Sequence, residues 1–343
     1  MNSNRLTWVV GFALIGSCGC YHFHGGQQAR IDFHQVAPVQ DVSTVVIETR
    51  NGSIGVRCMP GASQAEISGT KHAQGVTLAE AQAAAERIEI RVERPAGQPG
   101  KLRIAAEFPP GVNGGVTFDV VLPDSVVLDL STHNASVTVT GARRDVHATS
   151  TNGAIKATGI TGKVTARTSN GSVTLEDVAG DVDASSSNGR ILFKRVGQTR
   201  VIADTSNGSI EAHATRGNVQ LTSSNGRIVW KPESLPDKPD VRISTNNASV
   251  RAEVPADAHA AVRLNTSNAS VHASLSGAQV GDLRNDRGSL HAVLNGGGGQ
   301  IEVRTANGGI DFDLFAPQAA DRQGPILEAE VPQTKPALKQ DKR

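Results

Sequence analysis

The chain repeats one short phrase, Thr-Ser-Asn-Gly-Ser-Val, until few folds remain open to it. The cleanest copies are Thr168 to Val173 and Thr205 to Ile210. Anchor asparagines fall at Asn134, Asn152, Asn170, Asn188, Asn207, Asn225, Asn247, Asn268 and Asn307, and a decayed copy puts Arg287 in the anchor place. Successive anchors are 18 to 22 residues apart, a period that marks stacked repeats. Six and four places before the anchor the residues are apolar, as in Val146 and Ala148 or Val182 and Ala184. Three and five places after it they are apolar again, as in Val173 and Leu175 or Ile228 and Trp230. The positions between are polar and varied. Period-two alternation predicts two short strands per repeat, each with one buried face.

Two places before the anchor stands a small hydroxyl residue, among them Ser150, Thr168, Ser186 and Thr205. It suits a tight corner with the hydroxyl turned inward, and Asn-Gly suits a corner that needs positive φ. Asn-Ala at Asn134, Asn247 and Asn268 departs from that pattern. Two all-β architectures fit. A β-solenoid stacks one coil per repeat at about 4.8 Å, with asparagine over asparagine. The alternative is a long β-meander with Asn-Gly hairpin turns. A meander of so many strands needs another layer over its apolar face, which favours the solenoid.

The first copy, Val45 to Val56 around Asn51-Gly52, stands far upstream, so residues 57–125 read as an insertion. Within it Thr77-Leu78-Ala79-Glu80 is a capping box opening a helix over 77–87, whose Leu78, Ala81, Ala85 and Ile88 share one face for packing on a sheet. Strand-like segments follow over 88–92, 101–107 and 116–122. The repeat domain spans 42–315, residues 18–41 read as a tether, and 316–343 as a disordered tail.

Residues 1–17 read as a signal peptide: Arg5, an apolar run from Trp8 to Ile15, then Ile15-Gly16-Ser17-Cys18. The last four residues resemble the bacterial lipobox, which implies lipidation of Cys18, export, and anchoring to the cell membrane or outer membrane. Cys20 is a second candidate, and a plain secretory signal is the alternative. Three cysteines make no disulfide framework, and a Cys20–Cys58 bridge stays open. A net charge of +1 with 3% aromatics gives no case for nucleic acid.

The lipobox, the helix-bearing insertion and the recurring Ser-Asn-Gly phrase together resemble the bacterial putative adhesin domain family. That resemblance covers Val45 to Leu314 and implies an exported β-repeat protein with no catalytic residues and no cofactor. The partner it implies is an envelope polymer or protein. Two other readings stand beside it: a signalling or structural lipoprotein that makes contact through the insertion, and a polysaccharide-active enzyme. For the enzyme the best metal-site candidates are His272, His291 and Asp311, which repeat spacing places at equivalent outward positions on adjacent coils, but ligands spread over three coils rarely converge, which favours a solvated strand face and no metal. His22 and His24 form a weaker alternate-residue pair. No Gly-x-Ser-x-Gly elbow or Lys-Ser/Thr phosphate loop occurs.

Overall fold

The computed structural model describes residues 26–316. Each repeat forms one coil of two strands, and the coils stack into two facing sheets of thirteen and fourteen strands. The strands before the corner pair in parallel, residue on residue: Val146, Val164, Val182, Val201, Val219 and Val241 form one column. Those after the corner do the same, with Ile155, Val173, Ile191, Ile210, Ile228 and Val250 in register. Parallel neighbours cannot be joined by a two-residue hairpin, so the meander is excluded and the fold is a solenoid. Small residues such as Ala148, Ala184 and Ala203 share the buried space between the sheets with Leu175, Phe193, Trp230 and Phe312. The Trp230 indole N–H is satisfied by Thr215 Oγ1 at 3.0 Å.

The corner is built from contacts between coils. Ser186 Oγ donates to the carbonyl of Gly171 in the neighbouring coil at 3.0 Å and accepts from its own Gly189 N–H at 2.9 Å. Thr168, Ser223 and Thr305 repeat both bonds. The inward hydroxyl therefore closes a backbone donor and a backbone acceptor at once. The expectation of positive φ fails: no Asn-Gly or Asn-Ala corner is left-handed. Glycine is needed there because backbones touch. A Cβ on Gly153, Gly171, Gly189, Gly208, Gly226 or Gly308 would lie 1.7–1.9 Å from a carbonyl oxygen of the adjacent coil. Left-handed residues sit instead at the opposite edge, among them Gly159, Asp177, Arg195 and Ala214.

Asparagine stacks on asparagine, as the solenoid requires. The amide of each anchor donates to the Oδ1 of the one before it at 2.6–2.8 Å, in the order Asn51, Asn134, Asn152, Asn170, Asn188, Asn207, Asn225, Asn247, Asn307, Asn268. The last two stand out of chain order. The final copy, Gly299–Thr305 with Ile310–Phe315, inserts between the coil of Asp240–Thr245 and Val250–Pro255 and the coil of Ala260–Thr266 and Val271–Ser274. The decayed copy is no coil. Arg287-Gly288 turns the antiparallel hairpin Val280–Asp286 and Ser289–Leu294, with Gly288 at φ 83°.

The other end is threaded in the same way. The coil Thr44–Glu48 with Ile54–Met59 lies between the Val127–Thr132 coil and one made of Lys101–Glu107 and Gly114–Pro123. Residues 57–125 are thus a structural end of the solenoid and not an appendage. The tether reading of 18–41 also needs correction, because Gln27–Pro38 is a strand antiparallel to Gln64–Gly75. Its Phe33 lies over Gly69 and meets Phe118 edge-on at 5.8 Å. The helix is Leu78–Glu86 with both arms of the capping box formed by Thr77 and Glu80. Ala81, Ala85 and Ile88 are buried as the spacing requires, whereas Leu78 is exposed.

Cys58, a free thiol among the described residues, is buried, and burial, with a smaller push from Asp124, raises its pKa to about 12. The folded state favours the neutral thiol, so stability falls as pH rises past the ordinary value of 9.0. A thiol reagent at pH 8 should label Cys58 only when the protein is unfolded; labelling at the free-thiol rate in native buffer would contradict its burial. Gly189→Ala should lose about 1–3 kcal/mol in denaturant unfolding, while the exposed control Ser172→Ala should stay within about 0.5 kcal/mol of wild type.

Candidate binding surfaces

The outward positions of the two sheets form rows that run along the stack, one residue per strand. On the sheet after the corner the row reads Thr138, Lys156, Thr174, Leu192, Glu211, Val229, Arg251, Asp311, His272. Asp311 therefore stands between Arg251 and His272, because the last coil is inserted inside its predecessor. His272 Nε2 shares a 3.0 Å hydrogen bond with Ser270 Oγ. His291, expected beside them, lies in the other sheet opposite Arg263 and Arg284. Its spacing from His272 matched a coil, but the chain there reverses into an antiparallel hairpin. The candidate His-His-Asp column does not form, because His272 and His291 lie in different sheets. Among the described residues no three His, Cys, Asp or Glu side chains converge on a common point. Cys18, Cys20, His22 and His24, and the tail over 317–343, lie outside the described residues.

The anchor asparagines are exposed, yet each spends its amide on the adjacent coil, so the conserved geometry of the phrase is occupied in holding the stack. Variation lies elsewhere. Across the sheet that precedes the corner, a row missed in the sequence runs Gln220, Arg242, Glu302, Arg263, His291, Arg284. Arg242 pairs with Asp240 at 3.3 Å, and Glu302 pairs with Arg304. Arg263 and Arg284 are exposed and make no ion pair among the described residues, and His291 lies between them. Three residues from three antiparallel or reordered strands make this group, so no fixed spacing announces it. The one available signal was the failure of the Arg287 copy to match its siblings.

Two further charged groups are internally satisfied. At the left-handed edge Arg195 forms a fork on Asp177, with Nη2 to Oδ2 at 2.9 Å, and reaches Glu176 at 3.2 Å. The hydrogen bond from Arg195 holds the Asp177 carboxyl below its ordinary range. Further along the same sheet Lys231 Nζ pairs with Glu253 at 2.8 Å and lies over the Phe315 ring at 5.2 Å. The Lys231 hydrogen bond lowers the Glu253 pKa, with further help from Arg251. A concavity of about 280 Å³ lies above Gly55, walled by Asp119, Arg57, Ser136 and Thr138. It is polar and open, without the apolar lining of a small-molecule site.

The sequence profile of the family described as Toastrack DUF4097 matches residues 38–313. No curated protein matches the sequence. Among solved structures the chain is similar to a putative cell adhesion protein from Clostridium sporogenes ATCC 15579, at 10% identity and a TM-score of 0.22, with 84% of this chain and 100% of that chain covered. It is also similar to a putative adhesin from Bacteroides fragilis NCTC 9343, at 12% identity and a TM-score of 0.35, with 83% of this chain and 97% of that chain covered. The profile match takes in both strand-rich ends and all the stacked coils between them: the chain belongs to the Toastrack DUF4097 family.

Proposed function

We propose that this protein is an exported lipoprotein of the cell envelope, anchored through Cys18, whose solenoid is a rigid module that docks an envelope polymer or protein. One observation carries the reading. The residues that recur are consumed by coil-to-coil bonds, while the outward rows differ from coil to coil and present a fixed, non-repeating pattern of side chains. Such a face suits an extended partner docked along its length. Arg263 and Arg284, on either side of His291, make no ion pair among the described residues, so a partner that fits them carries negative charge there.

The enzyme reading loses its support with the His-His-Asp column. His272 and Asp311 remain neighbours, but a single His-carboxylate pair on a flat strand face has neither the ligand count for a metal nor a walled site for a sugar. The reading in which residues 57–125 act alone as the contact element is also weakened, because those residues supply a coil and the closing helix. Their deletion would open the core.

Two measurements test the proposal. Cys18→Ser protein expressed in its native envelope should lose its membrane association; partitioning equal to wild type would remove the anchor. Capture from envelope extracts should weaken about tenfold with Arg263→Glu/Arg284→Glu and with rising salt. Unchanged capture by that variant, at unchanged thermal stability, would move the docking site off this row.

A further inference from the structure

The turn that opens the helix presents two large apolar side chains to solvent, Val76 at 84% and Leu78 at 50% exposure. They flank Thr77, the helix N-cap. Leu78 has the helical spacing of the buried face, yet half of its surface is left open to solvent. The turn is rigid. Glu80 accepts hydrogen bonds from the backbone N–H groups of Val76 at 3.0 Å and Thr77 at 3.3 Å, and Thr77 Oγ1 accepts from Glu80 N–H at 3.2 Å. The one carboxylate beside the apolar pair is therefore engaged by the backbone.

The chain enters the fold at this same place. Gln27 is the register partner of Gly75, and Gly26 packs so closely on Gly75 that a Cβ there would lie 2.6 Å from its carbonyl oxygen. Eight peptide steps separate Cys18 from Gly26, so a lipidated Cys18 stays within about 28 Å of the turn even when fully extended. Gln27 and Gln74 border the turn, and Asn113 donates to the Gln74 side chain at 3.2 Å. These are neutral amides, suited to the headgroup region.

We propose that the Val76–Leu78 turn is a second membrane contact: it inserts into the lipid interface next to the anchored cysteine and stands the solenoid on its N-terminal end. The inference rests on the lipid-anchor reading and adds an apolar contact to it. The acyl chains hold the end of the protein at the surface, and the two side chains leave water there.

The test uses full-length lipidated protein in phosphatidylcholine–phosphatidylglycerol vesicles with brominated acyl chains. A single reporter is introduced as Val76→Trp, Leu78→Trp or, on a strand at the far end of the stack, Leu283→Trp. Buried Trp230 adds the same background to all three. Both proximal reporters should shift to the blue and lose emission to the bromines, and the distal one should do neither. Equal quenching of proximal and distal reporters in protein that sediments with the vesicles overturns the membrane contact and leaves the anchor standing. Sedimentation of a Cys18→Ser/Val76→Asp/Leu78→Asp variant to the wild-type extent overturns the anchor itself.

Discussion

The whole architecture depends on how closely two backbones approach at one corner. Equivalent glycines of adjacent coils meet carbonyl to Cα, at a separation that leaves no room for a methyl group. That contact fixes the register of every strand that leaves the corner, because a slip of one residue would turn the apolar set outward. The hydroxyl two places before the asparagine and the asparagine amide then close the polar groups that the approach exposes. Three residue types at fixed offsets thus perform one task, and the ladder continues through Asn134, Asn247 and Asn268, where alanine follows the anchor. The corner sits at the surface, so its amide bonds compete with water and each contributes modestly. Their effect is cumulative, through nearest-neighbour coupling along a quasi-one-dimensional stack.

A stack of parallel coils has a problem at each end, where a core and a row of strand edges would face water. Both ends are solved by the same device. The chain makes a coil, leaves it, builds antiparallel strands beyond, and returns a coil into the gap. At the start Lys101–Glu107 and Gly114–Pro123 complete the stack and the helix closes it; at the finish Gly299–Thr305 and Ile310–Phe315 slip inside their predecessor. The outer hairpin strand Val280–Asp286 carries a bulge near Asp282, which has φ 50°, and charges at Asp282, Arg284 and Asp286. Bulges and charges are the usual means of keeping an edge from pairing with another chain.

The body of the solenoid was legible because its information is local and repeated. Valine and isoleucine at fixed offsets, with hydroxyl, asparagine and glycine between them, specify a coil without any long-range knowledge. The reason glycine is required was misread, since Asn-Gly in isolation points to a left-handed turn, whereas here the constraint comes from a neighbour 18 or 19 residues away. The ends were illegible for a related reason. Nothing in the sequence of the last copy says that it will lie inside the copy before it, so His291 was assigned to a coil that does not exist. Gln27–Pro38 escaped notice because its inward residues are an uneven set, Ala29, Ile31 and Phe33, matched to Gly69 and Lys71 on a strand more than thirty residues on. Leu78 was assigned to the buried face by period alone, which describes a helix and not the extent of the surface beneath it.

These corrections give the molecule a direction. Equivalent strands run parallel from coil to coil, and the two ends differ in kind. The chain enters at the end closed by the helix, where the exposed apolar turn lies. Arg263 and Arg284, which make no ion pair among the described residues, lie on strands at the other end of the same stack. Thirteen strands at a spacing of about 4.8 Å span about 60 Å, well beyond the Debye length of about 8 Å at physiological ionic strength. Charge at the far end is therefore screened from the surface at which the chain enters. The strand Gln27–Pro38 makes half of residues 18–41 part of the fold at the end where the chain enters it.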